Sequence, residues 1–506
     1  MAVVVSLLEP DLASLRGAMD RNAPLADLFE LRLDRIGHPG EEALAELIGG
    51  SPCPVIVTVH GPEAGGDFAG SLDERFELLH AAARAGALFV DIDWEWSLDL
   101  GDVEGTCHRI VSRHEREGTP EELQPLWEAQ RDVLYEGDAI KLVTHANRAT
   151  DGLRVLRYLR EQSGLIAFAS GDAGSFTRLV APIFGSPFTY CAPKAPSPLT
   201  APGQLRVDDF HAAAPPGGLG PGTAIFGVVG SPVAHSWSPR LFNMAMKAAH
   251  LDGIYLPFEA DSLEEFLALA DDENFRGFSI TAPHKRAALG VAASGERGSE
   301  QAGAANTLVR DPGGGWLASN SDITALRQVL EASLRAHAAR GKGELAPAHA
   351  RVLVFGAGGA ARAAAQATRE IGARLLIAAR RDEPAMELAG HFRGTHVPRA
   401  GLGGCEYDVL VHCTPAGSLA QPDVLPFEAE LLRSESVVIE SAYRPMLTPL
   451  LAAARERDCT LVPGGEWFVR QAMEQFQRFT HREPDEQLMR KTFEHAYDES
   501  RQRRKS

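Results

Sequence analysis

The feature that most constrains the fold is a series of eight short β-rich runs in the first 210 residues, separated by helix-length segments. The runs are AVVVSL, LFELRLD, VIVTVH, LFVDIDW, RIVSRH, AIKLV, LIAFAS and PFTYC. Strands that alternate with segments such as LDERFELLHAAARAG are typical of βαβ units and a parallel sheet. Eight of them predict an α/β fold with an eightfold β/α barrel, and an open doubly wound sheet is the alternative. In a barrel, functional side chains gather near the strand ends.

A segment rich in Ala, Pro and Gly, HAAAPPGGLGPGT at residues 211–223, divides the chain. Beyond it, ARVLVFGAGGAARAAAQA has the pattern of a strand, a glycine turn and the start of a helix. This is the dinucleotide fingerprint, in which small residues let the backbone approach a pyrophosphate at a helix N-terminus. The residues predicted to bind the cofactor in this turn are Gly356, Gly358, Gly359, Ala360 and Ala361.

The strand after that turn, ARLLIAARRD, ends in Arg380 and Arg381. An NAD site usually has an acidic ribose ligand at this distance from the glycines. Two guanidinium groups suit a 2′-phosphate instead, so we predict NADP as the cofactor. Two solvated arginines at a strand end are the alternative.

Composition excludes several classes of partner. The formal net charge of −18 repels polyanions, and we find no basic patch, so we expect neither a nucleic-acid partner nor a membrane partner.

The six cysteines form no CxxC pair and have no metal-like spacing with histidine, which predicts reduced thiols and no metal site. No apolar run approaches a membrane span, and MAVVVSLLEPD reads as a first strand rather than a leader. We therefore expect a cytoplasmic protein, whose oligomeric state the sequence leaves undetermined.

Lysine is rare in this chain, with 7 Lys against 43 Arg, and Lys141 is the only lysine in the first 193 residues. Arginine cannot lose its proton in a protein, whereas a desolvated lysine can attack a carbonyl and form an imine. Ala139 and Val143 share its predicted strand face, and His114 ends the preceding strand, about 4.8 Å away, as a candidate base. An ion-paired or snorkelling lysine and a structural histidine are the alternatives.

These residues lie in the motifs VVVSL, FELRLD, IVSRHEREGTP, DAIKLV, TRLVAPIFGSPFTY and TAPGQL. With them, residues 1–210 resemble the type I 3-dehydroquinate dehydratases. The resemblance implies an imine between Lys141 and the substrate ketone, with His114 removing the neighbouring proton and returning it to the departing hydroxyl. It also implies six substrate contacts, which are Ser6, Glu30, Arg32, Arg178 as a carboxylate clamp, and Thr200 and Gln204 on a closing loop.

Two positions depart from that family. In VTVHGPEAGGD the family expects arginine where His60 stands and glutamate where Ala64 stands. That glutamate normally orients the catalytic histidine, so we expect dehydration to be present but weakened. Glu63, Asp93 and Glu95 are the candidate replacements.

Four polar clusters follow short apolar strands in the second half, namely IFGVVGSPVAHSWSPRLFNMAM, GFSITAPHKRAAL, GAANTLV and ASNSDITAL. Ser236 and Ser238 offer paired hydroxyls for a carboxylate, and Lys285 and Asp322 suit a proton-relay pair. From about Ala224 through GGEWFVRQAMEQF, the set resembles shikimate dehydrogenase.

The second resemblance implies roles for individual residues. Lys285 and Asp322 would form the dyad that protonates the carbonyl oxygen during reduction. The implied substrate contacts are Ser236, Ser238, Thr281, Asn306, Tyr443 and Gln471, and further cofactor contacts are Thr414, Ser441 and Gly464. The departures are Trp237 in place of lysine, NSDI in place of NTDG, and His412 in place of asparagine.

The order of the two halves resembles the fused enzymes of plants. It implies a barrel at 1–210, a linker at 211–223, a substrate domain at 224–325 completed by 448–506, and a Rossmann domain at 326–447. The expected activity is dehydration of 3-dehydroquinate followed by NADPH-dependent reduction of 3-dehydroshikimate to shikimate.

Two alternatives remain open. One is a quinate/shikimate dehydrogenase whose dehydratase half is impaired or inactive, although Ser238 and Thr281 favour shikimate. The other is a non-catalytic regulator that senses a metabolite. The retained lysines and the acidic balance argue against a regulator, which would usually carry a basic DNA-binding segment.

Overall fold

The computed structural model describes residues 1–201, 203–339 and 345–502. These residues form two compact units. The first unit comprises Met1–Ile225 and His250–Phe275, and the second comprises Phe226–Ala249 and Arg276–Ser506.

Eight parallel strands form the centre of the first unit. They are β1 (Ala2–Leu7), β2 (Leu28–Arg32), β3 (Val55–Thr58), β4 (Phe89–Asp93), β5 (His108–His114), β6 (Ala139–His145), β7 (Ile166–Ser170) and β8 (Phe188–Cys191). Hydrogen-bonded neighbours follow the order β7-β6-β5-β4-β3-β2-β1-β8. Across the seam between β7 and β8, the rings of Phe168 and Tyr190 lie 5.7 Å apart. Consecutive strands are therefore neighbours all the way round, which confirms the barrel and excludes the doubly wound order.

Apolar side chains from seven of the strands fill the barrel interior, which explains the nearly continuous apolar runs of the sequence. They are Val4, Leu28, Ile56, Ile110, Val143, Ile166, Phe168 and Tyr190, and Phe89 of β4 packs against them.

One α-helix follows each strand of the barrel. They are α1 (Leu12–Asn22), α2 (Glu41–Gly49), α3 (Leu72–Arg84), α4 (Ser97–Leu100), α5 (Gln124–Arg131), α6 (Ala149–Glu161), α7 (Ser175–Val180) and α8 (Val207–Ala213). Local signals specify where some of them begin. Ser71 and Glu74 form a reciprocal capping box at the start of α3, and Asp11 caps α1 by accepting from the Ser14 amide at 2.8 Å.

The first unit also contains β10 (Gly253–Glu259) and α10 (Leu263–Leu269). Helix α10 packs on α6. Arg160 of α6 donates to Asp272 at 3.0 Å and to Asn274 at 2.6 Å, which ties this segment to the barrel.

The second unit contains two groups of strands. In the first group, the order is β9-β11-β13-β14-β12. The bounds are β9 (Ala224–Gly230), β11 (Phe275–Ile280), β12 (Ser294–Gly295), β13 (Thr307–Arg310) and β14 (Trp316–Ser319), with helices α9 (Ser238–Ala248), α11 (Ala287–Gly290), α12 (Arg297–Ala302) and α13 (Ser321–Ala339). Because β13 is antiparallel to both β11 and β14, the start of β13 lies at the same edge as their ends. Polar side chains from three segments therefore meet at this edge.

The second group is a parallel sheet in the order β17-β16-β15-β18-β19-β20. Its strands are β15 (Arg351–Phe355), β16 (Arg374–Ala378), β17 (Thr395–His396), β18 (Val409–His412), β19 (Val437–Glu440) and β20 (Thr460–Val462). The order reverses between β15 and β18, which is the Rossmann arrangement, and ligands of such sheets bind outside the strand ends at this point.

Helices cover this sheet and complete the unit. They are α14 (Gly359–Glu370), α15 (Asp382–Phe392), α16 (Pro449–Glu456), α17 (Gly464–Thr480) and α18 (Glu486–Gln502). Helix α17 packs on α13 and α9, and α18 packs on α9, so the chain returns to the first group of strands after β20. Among the described helices, none combines the length and the hydropathy needed to span a bilayer.

Candidate active sites

Lys141 lies on β6 inside the barrel, with 3% of its surface exposed. Its Nζ donates to Asp91 Oδ2 and lies 3.9 Å from Glu30 Oε1. The ring centroid of Tyr190 is 5.0 Å from the same nitrogen. The lysine is thus ion-paired, as one alternative held, yet it does not snorkel to solvent. Two carboxylates thus lie within ion-pair distance of this buried nitrogen.

The carboxylates beside Lys141 are themselves held by hydroxyl groups. Glu30 accepts from Ser6 Oγ and, at 3.1 Å, from Thr58 Oγ1, while Asp91 accepts from Ser112 Oγ. Sequence reasoning missed Asp91. The available signal was the run FVDID, whose alternating carboxylates lie on one face of β4.

His114 ends β5 on the same face as Ser112, which is in register with Lys141. Burial lowers the pKa of His114 well below its ordinary value, and the positive charges of Lys141 and His60 act in the same direction, against Asp93. The imidazole is therefore neutral near pH 7, which is the form that a general base requires. The structure brings His114 and Lys141 together as predicted, and their roles stay predictions.

Asp93 lies between two imidazole rings. Its Oδ1 is 3.8 Å from His114 Nδ1, and its Oδ2 is 3.7 Å from His60 Nδ1 and 3.7 Å from Arg75 Nη1. The two rings stand edge to face, with centroids 5.7 Å apart. Burial acts to raise the pKa of Asp93, but its contact with His60 and the neighbouring Arg75 guanidinium outweigh burial and lower it to about 2.

The other two candidate replacements for the family's glutamate do not approach His114. Glu63 binds Arg75 and has 53% of its side chain exposed. Glu95 is exposed at the surface. Of the three candidates, Asp93 is therefore the carboxylate that the fold places beside His114.

Arg178 Nε and the hydroxyl of Tyr190 are among the buried donors of the barrel that have no hydrogen-bond partner among the described residues. The Arg178 guanidinium lies over the Phe168 ring at 4.1 Å. Burial lowers the pKa of Arg178 to about 10, against the charges of Cys191 and Glu30, which leaves it cationic. Such unsatisfied donors suit an anionic ligand.

The remaining predicted residues of the barrel are not joined to Lys141 by hydrogen bonds within the described part of the chain. Arg32 is buried and pairs with Asp34 through Nε at 3.1 Å. Thr200 donates its hydroxyl to Gln204 at 2.5 Å.

In the second unit a cavity of about 580 Å³ opens beside the Rossmann sheet. Its lining includes ten of the predicted residues, namely Ser236, Ser238, Thr281, Lys285, Asn306, Asp322, Ala360, Ser441, Tyr443 and Gln471. They come from loops and helices that are far apart in sequence.

The predicted dyad forms at one end of this cavity. Lys285 Nζ donates to Asp322 Oδ2 at 2.6 Å. Asp322 lies in the first turn of α13, where the helix dipole stabilises a carboxylate. Both side chains are largely shielded from solvent, which strengthens the ion pair while leaving the ammonium facing the cavity.

A hydrogen-bond network holds Asn306 at the sheet edge. Its Oδ1 accepts from the Ser321 amide at 2.8 Å, and its Nδ2 donates to Ser321 Oγ at 2.9 Å. Gln475 of α17 donates to the Asn306 carbonyl at 2.8 Å. The departure NSDI is therefore accommodated, because Ser321 holds Asn306 and Ile323 packs in the core.

The two serines lie on either side of Trp237 at the start of α9. Ser236 Oγ accepts from the Ser238 amide at 3.2 Å. Burial raises the pKa of the Tyr443 phenol, against hydrogen bonds to the Trp237 backbone and the Ser236 side chain. Trp237 replaces the family's lysine and packs beside the Tyr443 ring, 5.6 Å between centroids, and Tyr443 stacks on Phe468 at 4.3 Å.

The glycine turn after β15 closely approaches β18. Gly356 has φ of 137°, and a Cβ there would lie 2.9 Å from the carbonyl oxygen of Cys413, so only glycine fits. A Cβ on Gly359 would lie 2.9 Å from the Lys285 side chain. The N-terminus of α14 therefore lies against the dyad.

Gly464 and the two strand-end arginines complete the predicted cofactor residues. A Cβ on Gly464 would lie 2.3 Å from the Ala442 carbonyl oxygen, so the chain passes closely there. Arg380 and Arg381 are exposed and form no hydrogen bond or ion pair among the described residues. A bare glycine turn, a helix N-terminus and two free guanidinium groups together fit a phosphorylated dinucleotide.

His412, which stands where the family has asparagine, is fully buried. Its Nδ1 is 2.9 Å from Glu440 Oε1, and its Nε2 is 2.5 Å from Thr414 Oγ1. Glu440 Oε1 also accepts from the Ala442 amide at 3.0 Å. The imidazole thus joins the ends of β18 and β19, and it fixes the loop that carries Thr414.

Comparison with known proteins places both units. The family model of type I 3-dehydroquinase matches residues 3–214, and that of the shikimate dehydrogenase substrate binding domain matches residues 228–308. A chloroplastic bifunctional 3-dehydroquinate dehydratase/shikimate dehydrogenase of Arabidopsis thaliana is 32% identical over 475 residues, covering 90% of this chain and 78% of the relative. This chain belongs to the bifunctional 3-dehydroquinate dehydratase/shikimate dehydrogenase family.

Two further relatives extend the comparison. The pentafunctional AROM polypeptide of Malassezia globosa is 31% identical over 516 residues, which are 95% of this chain but 31% of that polypeptide. A shikimate dehydrogenase (NADP(+)) of Syntrophobacter fumaroxidans is 35% identical over 263 residues, covering 50% of this chain and 86% of the relative. Membership of the bifunctional family confirms both resemblances drawn from the motifs.

Proposed function

We propose that this member of the bifunctional family dehydrates 3-dehydroquinate in the barrel and reduces the product, 3-dehydroshikimate, to shikimate with NADPH in the second unit. The observation that carries the proposal is the pair of lysines. Lys141 is buried beside a neutral imidazole, and Lys285 faces a cavity and is paired with Asp322. Dehydration through an imine needs a lysine nitrogen that can lose its proton and attack the ketone. Reduction needs a lysine nitrogen that can donate a proton to the carbonyl oxygen.

In the barrel, the Lys141 amine attacks the ketone carbon, and loss of water gives an imine. Asp91 is placed to accept the proton that the ammonium must first release. His114 then removes a proton from the carbon next to the imine carbon. The carbon–oxygen bond of the neighbouring hydroxyl breaks, and His114 returns the proton so that water leaves. Hydrolysis of the imine releases the enone and regenerates the amine.

Arg178 is the residue that we propose holds the substrate in place during dehydration. Its unpartnered Nε and its retained charge suit the substrate carboxylate. Glu30, held by Ser6 and Thr58, lies beside Lys141, where a carboxylate group suits a cationic imine.

In the second unit, Ser236 and Ser238 bind the substrate carboxylate, and Thr281, Asn306 and Gln471 bind the ring hydroxyls. Lys285 donates a proton to the carbonyl oxygen, and Asp322 orients the ammonium. NADPH supplies the hydride when it is bound. The residues that would hold it are the turn Gly356–Ala361 and Arg380 with Arg381. Close contact of Gly359 with Lys285 brings the cofactor turn to the dyad.

Cofactor preference gives a direct prediction. Replacing both Arg380 and Arg381 with serine raises the KM for NADPH by about 10- to 100-fold, because each substitution removes a charge-assisted contact to the 2′-phosphate. The rate with NADH stays unchanged. Arg374→Ser, at the exposed opposite end of the same strand, is the matched control. Equal KM values for NADPH in the double variant and the wild type would contradict the assignment.

A sequential assay tests the whole proposal. After 3-dehydroquinate is added to the purified chain, we expect enone absorbance to rise, and after NADPH is added we expect NADPH absorbance to fall. If the chain reduces added 3-dehydroshikimate but forms no enone from 3-dehydroquinate, it is a dehydrogenase whose barrel is inactive. Faster oxidation of quinate than of shikimate would favour the quinate alternative. Neither reaction would occur in a sensing regulator.

We also propose the domain division 1–210, 211–223, 224–325 with 448–506, and 326–447. Residues 202, 340–344 and 503–506 of these domains lie outside the described part. We further propose that the protein is cytoplasmic and that its binding partners are small-molecule substrates alone. All six cysteines are free thiols, which supports a reducing compartment.

A further inference from the structure

The carboxylate that accompanies the base comes from a different element in this chain than in the family pattern. Position 64 carries alanine on a short 3-10 turn, Pro62–Ala64, and provides no carboxylate. Strand β4 provides one instead, because Asp93 is its last residue and β4 is hydrogen-bonded to β5, which ends in His114. The replacement lies on the barrel sheet, where its position is set by strand pairing.

We propose that Asp93 is the positioning carboxylate of His114 and that it is shared with His60, so that the charge on His60 sets the pH range in which His114 acts as a base. The proposal rests on the dehydratase function proposed above. Neither Asp93 nor His60 need touch the substrate, and both act through His114.

The two oxygens of Asp93 are divided between its neighbours. Oδ1 faces His114 at 3.8 Å, while Oδ2 faces His60 at 3.7 Å and Arg75 at 3.7 Å. Arg75 is 4% exposed and is bound by Glu63, so the cation behind Asp93 is fixed. A carboxylate that is anchored by Arg75 and faces one ring with each oxygen restricts how both imidazoles can turn.

The departure at position 60 gives this arrangement a titratable member. Arginine, which the family has there, carries a fixed charge, whereas an imidazole exists in a neutral and a protonated form. The His60 and His114 rings meet edge to face at 5.7 Å. A proton on His60 therefore opposes a proton on His114.

The charged groups that face His114 determine whether a substitution raises or lowers the pKa of His114. Lys141 from β6, His60 after β3 and Arg116 after β5 lower the pKa of His114, in addition to burial, and Asp93 from β4 raises it. Removing the charge of His60 therefore raises the pKa of His114. Removing the charge of Asp93 lowers it further, so the base stays neutral near pH 7 even without Asp93.

The first experiment compares Asp93→Asn with Glu95→Gln, an exposed carboxylate two residues away, in the full chain. We expect Asp93→Asn to reduce kcat for dehydration by about 10- to 100-fold with KM little changed, since an outer positioning group is lost. The loss should be constant from neutral to alkaline pH, because the base is already neutral there. Glu95→Gln should match the wild type.

Borohydride trapping separates this role from imine formation. With substrate present, reduction of the imine to a secondary amine adds a stable mass to Lys141. We expect the adduct in the wild type and in Asp93→Asn alike, which also shows that the variant barrel is folded. Without an adduct in the wild type, the dehydratase function itself fails, and the role of Asp93 fails with it.

The second experiment follows kcat/KM for dehydration against pH. His60→Gln should move the acid limb to higher pH, and His60→Arg should move it to lower pH, relative to the wild type. Trapped adduct together with equal kcat in Asp93→Asn and Glu95→Gln would overturn the positioning role. Acid limbs that coincide in all three His60 forms would overturn the sharing with His60.

Discussion

Lys141→Ala eliminates dehydration of 3-dehydroquinate and leaves reduction of 3-dehydroshikimate at the wild-type rate. We expect the dehydration kcat to fall by at least about 10⁴-fold, because without the amine there is no covalent route. The measurement is enone absorbance, with NADPH oxidation on the same sample as the internal reference. Lys194→Ala removes the other lysine of the first unit and should be active.

The alanine variant also leaves Asp91 and Glu30 without their cation, and a broken buried pair costs about 3–5 kcal/mol. Lys141→Arg removes this complication, since guanidinium keeps the charge but cannot form an imine. It should be as inactive as alanine in dehydration while unfolding closer to the wild-type temperature. Full dehydratase activity in Lys141→Arg would show that a fixed cation suffices and would refute the imine.

Lys285→Ala lowers kcat for reduction of 3-dehydroshikimate by about 10²- to 10⁴-fold, the usual contribution of a positioned acid. Its Nζ bonds to Asp322 at 2.6 Å and faces the cavity, and among the described residues that line this cavity Lys285 is the only lysine. Stopped-flow NADPH oxidation measures the effect, and enone formation from 3-dehydroquinate should be unchanged in the same preparation.

Lys491→Ala, an exposed lysine on α18, is the matched control for charge loss in the second unit. Asp322→Asn keeps the shape of the dyad while removing its charge, and it should lower kcat less than Lys285→Ala does. Reduction at the wild-type rate by Lys285→Ala would show that another group protonates the carbonyl oxygen.

The barrel and the glycine turn were predictable because their signals are local. Each strand of the barrel coincides with one apolar run, since parallel strands buried on both faces read as continuous hydrophobic segments. The turn at Gly356 is likewise local, because the backbone conformation there, with φ of 137°, excludes a side chain. Neither needs information from distant parts of the chain.

Parts of the sites were not predictable because they depend on which strand ends meet. Asp91 bonds to Lys141 across 50 positions of sequence, and only the register of β4, β5 and β6 places them together. Likewise, the sequence gives no partner for His412, because only the pairing of β18 with β19 brings Glu440 to its ring.

The amino-acid sequence by itself determined the β/α repeat, the dinucleotide turn and the two lysines kept among arginines, because local periodicity and side-chain chemistry decide these features. The tertiary structure alone decided that Asp91 stands beside Lys141 and which carboxylate faces His114. Ion pairs and hydrogen bonds act over only a few ångströms, so partners from separate strands are specified once sheet register is set.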